Sequence, residues 1–383
     1  RFERNGYEEI GAANGDQHKE HDFALHDFLV LRATDIASVD CRMTNIEIFE
    51  VIILQSAANF IDPVRGKLGA NHNGALSLAA QYPGNTFLEA QISNGIKRKL
   101  AAIGGTDTQV LQEVEGFAVH ARITHIDPDI LAVTEMENDG YEGDSAIAEL
   151  AGALGSHWRY VETSDNTGSD AIRTDLLYRS DRVVAEGSAS RVTTTPFDRR
   201  GRPPVAQVFR LIHSYRSLRV VVPHLKSKAC RGASGQNRNQ DDGQGCYSHS
   251  REQATRAIIR WTNTLPNPDS LSGTMITGDL NAYAREKPLQ LLEAAGFINA
   301  VRHIHGCTDT TCKHTSYSYH GRSGTLDYSL VSKRLLPRIV DARTWSINSD
   351  EPRALGYKGP VTVPTGQPWR SSDHNPVITD LSL

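Results

Sequence analysis

Short apolar runs that break off abruptly in polar residues recur along this chain of 383 residues. The run Ile130 to Val133 ends in Glu135 and reads as a buried strand delivering a carboxylate. Residues 46–54, Asp175 to Tyr178, Val205 to Ile212, Leu218 to Val222, Thr274 to Thr277, Leu326 to Val331 and Val377 to Leu381 read as further strands. Helical spacing of Phe87, Leu88, Ile92, Ile96, Leu100 and Ile103 predicts a helix over 86–103, and Ile147, Leu150, Ala151 and Leu154 give one over 145–154. A helix from Arg251 to Leu265 is ended by Pro266, and one from Pro288 to Ala295 stops at Gly296. Residues 62–85 are loop-rich. Residues 1–40 are polar, rich in His, Asp and Glu, and lack periodicity, so they read as an N-terminal extension ahead of a domain over 41–383. Strands and helices alternate without a repeat or a clear linker. That predicts an α/β or α+β class with long loops at strand ends, where sites gather.

Length allows two or three small domains or one large unit. With 39% hydrophobic and 22% charged residues the balance is that of a soluble globular protein, which excludes a disordered tail, a collagen and a coiled coil. No run approaches the roughly 18 apolar residues of a membrane span. The best one, Ile46 to Leu54, is broken by Glu47 and Glu50, so no membrane partner is expected. The net charge of −4 excludes a nucleic-acid binder that works by bulk charge, leaving local basic patches or metal ions for that task.

The 5 cysteines change the picture of compartment. Cys230 and Cys246 bracket RGASGQNRNQDDGQG, and Cys307 and Cys312 bracket TDTT. Neither stretch can fold by burying apolar surface, so a disulfide staple is the natural reading of each pair. Zinc held by Cys307, Cys312 and His314, with His303 or His305, is the rival. Cys41 is left over. Disulfides imply an exported protein, secreted or periplasmic. The opening RFERNGYEE carries no signal peptide and reads as a processed or truncated start.

Five segments share the strand-to-polar format: ILAVTEMENDG (130–140), LRVVVPHLKSK (218–228), MITGDLNAY (275–283), TLDYSLVS (325–332) and RSSDHNPV (370–377). Strand ends that gather Glu, His, Asp, Asn and Asp-His predict one polar pocket. Its carboxylates and amide suit a hard divalent cation such as Mg2+, Mn2+ or Ca2+. Two His on separate segments suit an acid and a base on opposite sides of a reacting phosphorus.

In this order, GDLNAY, TLDYSLVS and SSDHNPV, following a strand that ends in Glu and one that ends in His, resemble the endonuclease/exonuclease/phosphatase superfamily with the DNase I-type fold. EMENDGY (135–141), SDAIRTDLLYR (169–179), RGRPPVAQVF (200–209), HLKSK (224–228), GQGCYSHSREQA (243–254), WSINSDEP (345–352) and WRSSDHNPV (369–377) resemble its large secreted bacterial nucleases. The likeness runs from about residue 126 to 383. It implies a four-layer sandwich, with two mixed β-sheets face to face and helices outside.

The resemblance also implies roles. Glu135 is the family's metal-binding Glu, with Glu137 the second choice, and Asp373 is a further carboxylate on the metal side. Family members open with a strand whose Asn helps hold the metal. Here Phe49-Glu50-Val51-Ile52 is nearest, making Glu50 the candidate and Asn45 the other. Asp279 and Asn281, two apart in an extended segment, point the same way toward the phosphate, the water or a metal, or else form a simple Asx turn. His224 and His374 are the acid/base pair, with Asp327 accepting from His374 and Asp170 from His224. Arg202 grips a phosphate, and Arg199, Arg200 and Lys226 extend that patch or form a solvated loop. Tyr178, Tyr283 and Tyr319 offer faces to sugars or bases, or pack the core and rim.

The implied activity is hydrolysis of DNA phosphodiesters, or of RNA, by a monomer using Mg2+ or Mn2+, with little sequence preference, endonucleolytic and leaving 5′-phosphates. The same fold also hydrolyses inositide or sphingomyelin phosphates, and a catalytically dead binding protein is the alternative outside the enzymes. The loops NDGYEGD (138–144) and NQDDGQG (239–245) carry oxygen ligands at a density that suits a structural Ca2+, or are turns.

Overall fold

The computed structural model describes residues 48–54, 122–198, 201–308, 310–352, 368–369 and 371–383. The N-terminal extension, the 62–85 loops, the 86–103 helix, Cys41, Asn45, Arg199 and Arg200 lie outside these residues.

Alternation along β2 (Ile130–Glu137) sets up the layers. Ile130 and Ala132 join one apolar cluster while Leu131 and Val133 join another, because successive strand residues face opposite ways. β2 belongs to a six-stranded sheet ordered β13-β14-β1-β2-β4-β3. Its other members are β1 (Ile48–Leu54), β3 (Trp158–Tyr160), β4 (Ile172–Arg179), β13 (Ile339–Thr344) and β14 (Val377–Ser382). β1 runs parallel to β2 and antiparallel to β14. A second six-stranded sheet, ordered β5-β6-β7-β8-β12-β9, comprises β5 (Val183–Arg191), β6 (Val205–Leu211), β7 (Ser217–Val222), β8 (Leu271–Asp279), β9 (Phe297–Asn299) and β12 (Asp327–Ser332). Only β7 and β8 run parallel there, so both sheets are mixed.

Between the sheets, Ile130, Ala132 and Leu176 meet Val205, Phe209, Val220 and Met275 in one buried cluster. On the outer face of the first sheet, Ala146, Ile147 and Leu150 of α1 (Ala146–Leu154) cover Leu131, Val133 and Leu177. On the outer face of the second, α2 (Ser248–Thr262) and α3 (Lys287–Ala294) bring Ala254, Ala257, Ile258, Leu289 and Leu292 onto Val221, Ile276 and Leu330. The result is helix, sheet, sheet, helix: a four-layer sandwich. β8 is buried along its whole length, as a central strand covered on both faces must be. α4 (Ala300–His305) follows β9, and a small hairpin of β10 (Tyr317–Tyr319) and β11 (Arg322–Gly324) precedes β12.

A charged bolt joins the two sheets. Asp175 of β4 accepts from Arg173 Nε and from Arg191 Nη2 of β5, both at 2.6 Å and all three side chains fully buried. Arg191 also donates to the carbonyls of Pro203 at 2.9 Å and Thr174 at 2.8 Å. Cys230–Cys246 and Cys307–Cys312 are both disulfides, so the sulfurs that a zinc site would need are consumed. The loop stapled by the first is pinned from inside. Arg251 of α2 donates to the carbonyls of Cys246 and Gln244, and Lys228 bonds Gln244 O and the Glu286 carboxylate. Among the described residues no helix is long and apolar enough to cross a membrane.

Candidate active site

Three neighbouring strand ends of the second sheet build one wall of the site. His224, just past β7, bridges to Asp279 at the end of β8, and Asp279 stands opposite Asp327 at the start of β12. That close approach depends on Gly278, where a Cβ would lie 2.1 Å from the carbonyl oxygen of Pro223. The chain then turns rather than staying extended. Asn281 takes φ +45°, its backbone N–H donates to Asp279 Oδ1 at 2.7 Å and its Nδ2 to Asp279 Oδ2 at 2.8 Å. The Asx turn and the functional pair expected here are therefore one structure. Asn tolerates this left-handed conformation better than most residues.

The opposite wall comes from the first sheet. His374 precedes β14, and its Nδ1 lies 2.6 Å from Asp327 Oδ2 across the gap between the sheets. Its backbone is fixed from both sides: its N–H donates to Ser372 Oγ at 3.0 Å, and its carbonyl accepts from Asn348 Nδ2 at 2.7 Å. Asn375 locks the next turn. Its Oδ1 accepts from the N–H groups of Ile347, Asn348 and Ser349, and its Nδ2 donates to Thr315 O, Ser349 Oγ and Asp350 Oδ2. Burial pulls the His374 imidazole down, but the charge and hydrogen bond of Asp327, then Asp279 and Asp373, outweigh it and raise the ring to about 10. Burial pushes the Asp327 carboxyl up. The pair is thus a buried ion pair holding its proton on the imidazole.

His224 stands between opposite charges. Asp279 Oδ2 is 3.3 Å from its Nε2, and Arg202 Nη1 lies 2.8 Å from both ring nitrogens. Arg202 is buried, also donating to Leu225 O at 3.1 Å, and Asp170 sits 3.7 Å behind its Nε. Burial lowers the guanidinium, while Asp170, Asp279 and Glu135 work against that. This differs from the sequence reading. Asp170 partners Arg202, not His224, because the carboxylate that reaches the ring belongs to the adjacent strand end. Arg202 faces inward onto His224 instead of standing in the open.

Glu135 is reached through a bulge. The β2–β4 register shifts between Val133 and Met136, and Glu135 takes φ +59°, a backbone state rare outside Gly and Asn. The bulge turns a carboxylate at a strand end to the neighbourhood of Arg202, whose guanidinium feels its charge. Glu137 lies two residues further, half-buried. Asp373 is exposed beside His374. Glu50 is misassigned in the sequence reading. Val51 pairs with Ile130 and Leu54 with Val133, so Glu50 lies level with the start of β2 and Glu135 with positions beyond Leu54. At about 3.3 Å per residue that separates the two levels by about 20 Å. The motif Phe49-Glu50-Val51-Ile52 is a strand as expected.

The donor chemistry fits a divalent cation. Asp279, Asp327 and His374 each present a donor atom within 4.8 Å of the others. Anionic oxygens in this number suit a hard cation more than zinc. Neither acidic loop contributes such a group among the described residues. Asp139 Oδ2 accepts from Ala146 N at the head of α1, Asn138 ties down the carbonyls of Gly168 and Asp170, and Asn239 and Asp242 close local turns. Lys226 is exposed, 5.3 Å over the Tyr247 ring, and Tyr178 packs against Phe209 at the edge of the core.

Ser316, Asn348 and Asn375 hold the site and were not singled out in sequence. Ser316 Oγ accepts from the N–H groups of Leu326 and Asp327 at 3.0 Å each. Asn348 and Asn375 stand inside WSINSDEP and SSDHNPV, which was the available signal.

Layers and site together define a DNase I-like α/β sandwich. The chain belongs to the Endonuclease/Exonuclease/phosphatase family, whose sequence model matches residues 114–374, about two thirds of its length. Members are hydrolases of phosphodiesters or phosphate esters. Solved structures agree on the fold. A family protein from Bacteroides thetaiotaomicron aligns with TM-score 0.51 at 11% identity over 88% of this chain and 95% of its own. A mannosyl-6-phosphatase from the same species aligns with TM-score 0.50 at 12% identity over 88% and 100%. No curated protein sequence matches the chain.

Proposed function

We propose that this protein is a secreted, divalent-metal-dependent nuclease that hydrolyses DNA phosphodiesters with little sequence preference. The observation that carries the reading is the convergence of His224, Asp279, Asn281, Asp327 and His374 on one buried wall-to-wall site. Asp279, in the buried cluster, would face the cation, and the motif positions of Glu135 and Asp373 assign them to holding it. When bound, that cation offsets charge on the phosphoryl oxygens and lowers the barrier to attack.

The residues of the chain do the rest. Asp327 fixes Nδ1 of His374, leaving Nε2 to take the proton of the attacking water. A ring raised to about 10 is a strong base once deprotonated, and the carboxylates that raise it are those whose charge a cation offsets. Asn281 positions Asp279, since its Nδ2 donates to Asp279 Oδ2 at 2.8 Å and to Leu225 O at 3.1 Å. His224, held between Arg202 and Asp279, protonates the leaving O3′, giving a 5′-phosphate. A site that grips phosphates and not base edges supports weak sequence preference. Two disulfides support an oxidising, extracellular or periplasmic setting.

The test is incubation with plasmid DNA and Mg2+, with and without EDTA, using wild type and His224→Ala. Degradation only by wild type with Mg2+ supports the reading. Intact DNA under that condition, with hydrolysis of inositide or sphingomyelin phosphates in parallel assays, transfers the activity to those esters. Hydrolysis of nothing leaves a binding protein.

A further inference from the structure

A row of aromatic rings leads out of the site along the β10–β11 hairpin. Tyr317 and Tyr319 are two apart on β10 and so share a face. Their rings are 6.4 Å apart and nearly parallel, at 16°. The inner one, Tyr317, lies 4.6 Å from the His374 ring, and the two residues are also joined by a backbone bridge. The outer one, Tyr319, is 56% exposed, with the His320 ring edge-on at 4.2 Å. A ring this exposed, beside one that touches the His374 imidazole, is not core packing.

The row is held rigidly. Gly324 of β11 lets Tyr283 pack beneath the hairpin, since a Cβ there would lie 2.6 Å from Tyr283 Cε1. Lys228 Nζ, paired with the Glu286 carboxylate, sits 5.2 Å from the Tyr283 ring centre. Arg322 stands directly across the hairpin from Tyr319 and is exposed. Aromatic faces interleaved with cations, continuous with a phosphate-cleaving site, are the chemistry that takes an unpaired polynucleotide strand: bases stack on rings and phosphates meet the cations.

We propose that the β10–β11 hairpin is a subsite for an unpaired nucleotide flanking the scissile phosphate, with Tyr319 stacking on its base and Arg322 meeting its phosphate. This rests on the nuclease reading and adds to it a preference for single-stranded or locally opened substrate. The measurement is kcat/KM with Mg2+ on a single-stranded DNA oligonucleotide, and on the same oligonucleotide built from tetrahydrofuran abasic residues. Wild type should favour the base-bearing strand about tenfold. Tyr319→Ala should bring that ratio close to one, Tyr319→Phe should keep it, and Tyr215→Ala, a fully exposed ring on the β6–β7 turn at the other end of the sheet, should also keep it. Equal cleavage of both strands by wild type, or an unchanged ratio in Tyr319→Ala, overturns the subsite while leaving the nuclease standing. Cleavage of neither strand while plasmid DNA is still degraded with Mg2+ overturns the subsite alone, and intact plasmid as well overturns both.

Discussion

Asp327 decides what His374 can do. The ring is buried, and burial alone would strip its proton, yet one carboxylate 2.6 Å away holds the proton in place. In metal-free protein the sign follows from the raised value. His374 adds stability that is fully present below its ordinary pKa, near 6.5, and that is lost as pH rises through about 10. Asp327→Asn should remove that loss between pH 7 and 10 in urea unfolding at each pH. It should also lower kcat by about 10²–10⁴, because the base is then neither oriented nor polarised. Gly278 acts through space. Gly278→Ala places a Cβ where the Pro223 carbonyl already is, so the chain carrying His224 must shift. A loss of at least about tenfold in kcat, with circular dichroism unchanged, is the expected result. Unchanged kcat would mean that His224 does not need its position.

Strand ends and turns carry the chemistry, so their fastenings are where elements fail. Asp175 neutralises two fully buried guanidinium groups, one from each sheet. Asp175→Ala should cost about 3–5 kcal/mol in denaturant unfolding, since it strands both charges in the interior. The stapled 230–246 loop is held by its disulfide and by Arg251 from below. Replacing Cys230 and Cys246 by Ser should cost about 3 kcal/mol by loop entropy, and less if the Arg251 contacts already confine the loop. Elements with strong periodicity were legible in the chain: β2, β4, β6, β7, β8, β12, β14 and helices α1 to α3 fall where the apolar pattern predicts. β3, β9, β10 and β11 were not, since three residues carry no period. β5 was missed for another reason: VVAEGSASR is an edge strand, half-exposed and poor in large apolar residues.

At the scale of the molecule, the two sheets each bring half of the site, and the site exists only where their ends meet. Chelating the divalent cation should abolish hydrolysis. Removing calcium while Mg2+ is kept should leave the melting temperature unchanged, because Asn239 and Asp242 are engaged in local turns and Asp139 Oδ2 at the head of α1. A fall of several degrees would reveal a calcium site those hydrogen bonds do not describe. The amino-acid sequence by itself pointed to the sandwich and to most of the candidate site, because each candidate residue flanks an apolar run that reads as a buried strand, Asp327 and His374 ahead of theirs and the others after. It placed His224, Asp279, Asn281, Asp327, His374 and Glu135 at strand ends. Tertiary structure alone decided the partners. Strand register moved Glu50 to the wrong end of β1, and the neighbouring strand gave Asp279, not Asp170, to His224. Register and lateral neighbours are set by long-range pairing, and the order of residues along one strand holds no record of which strand lies beside it.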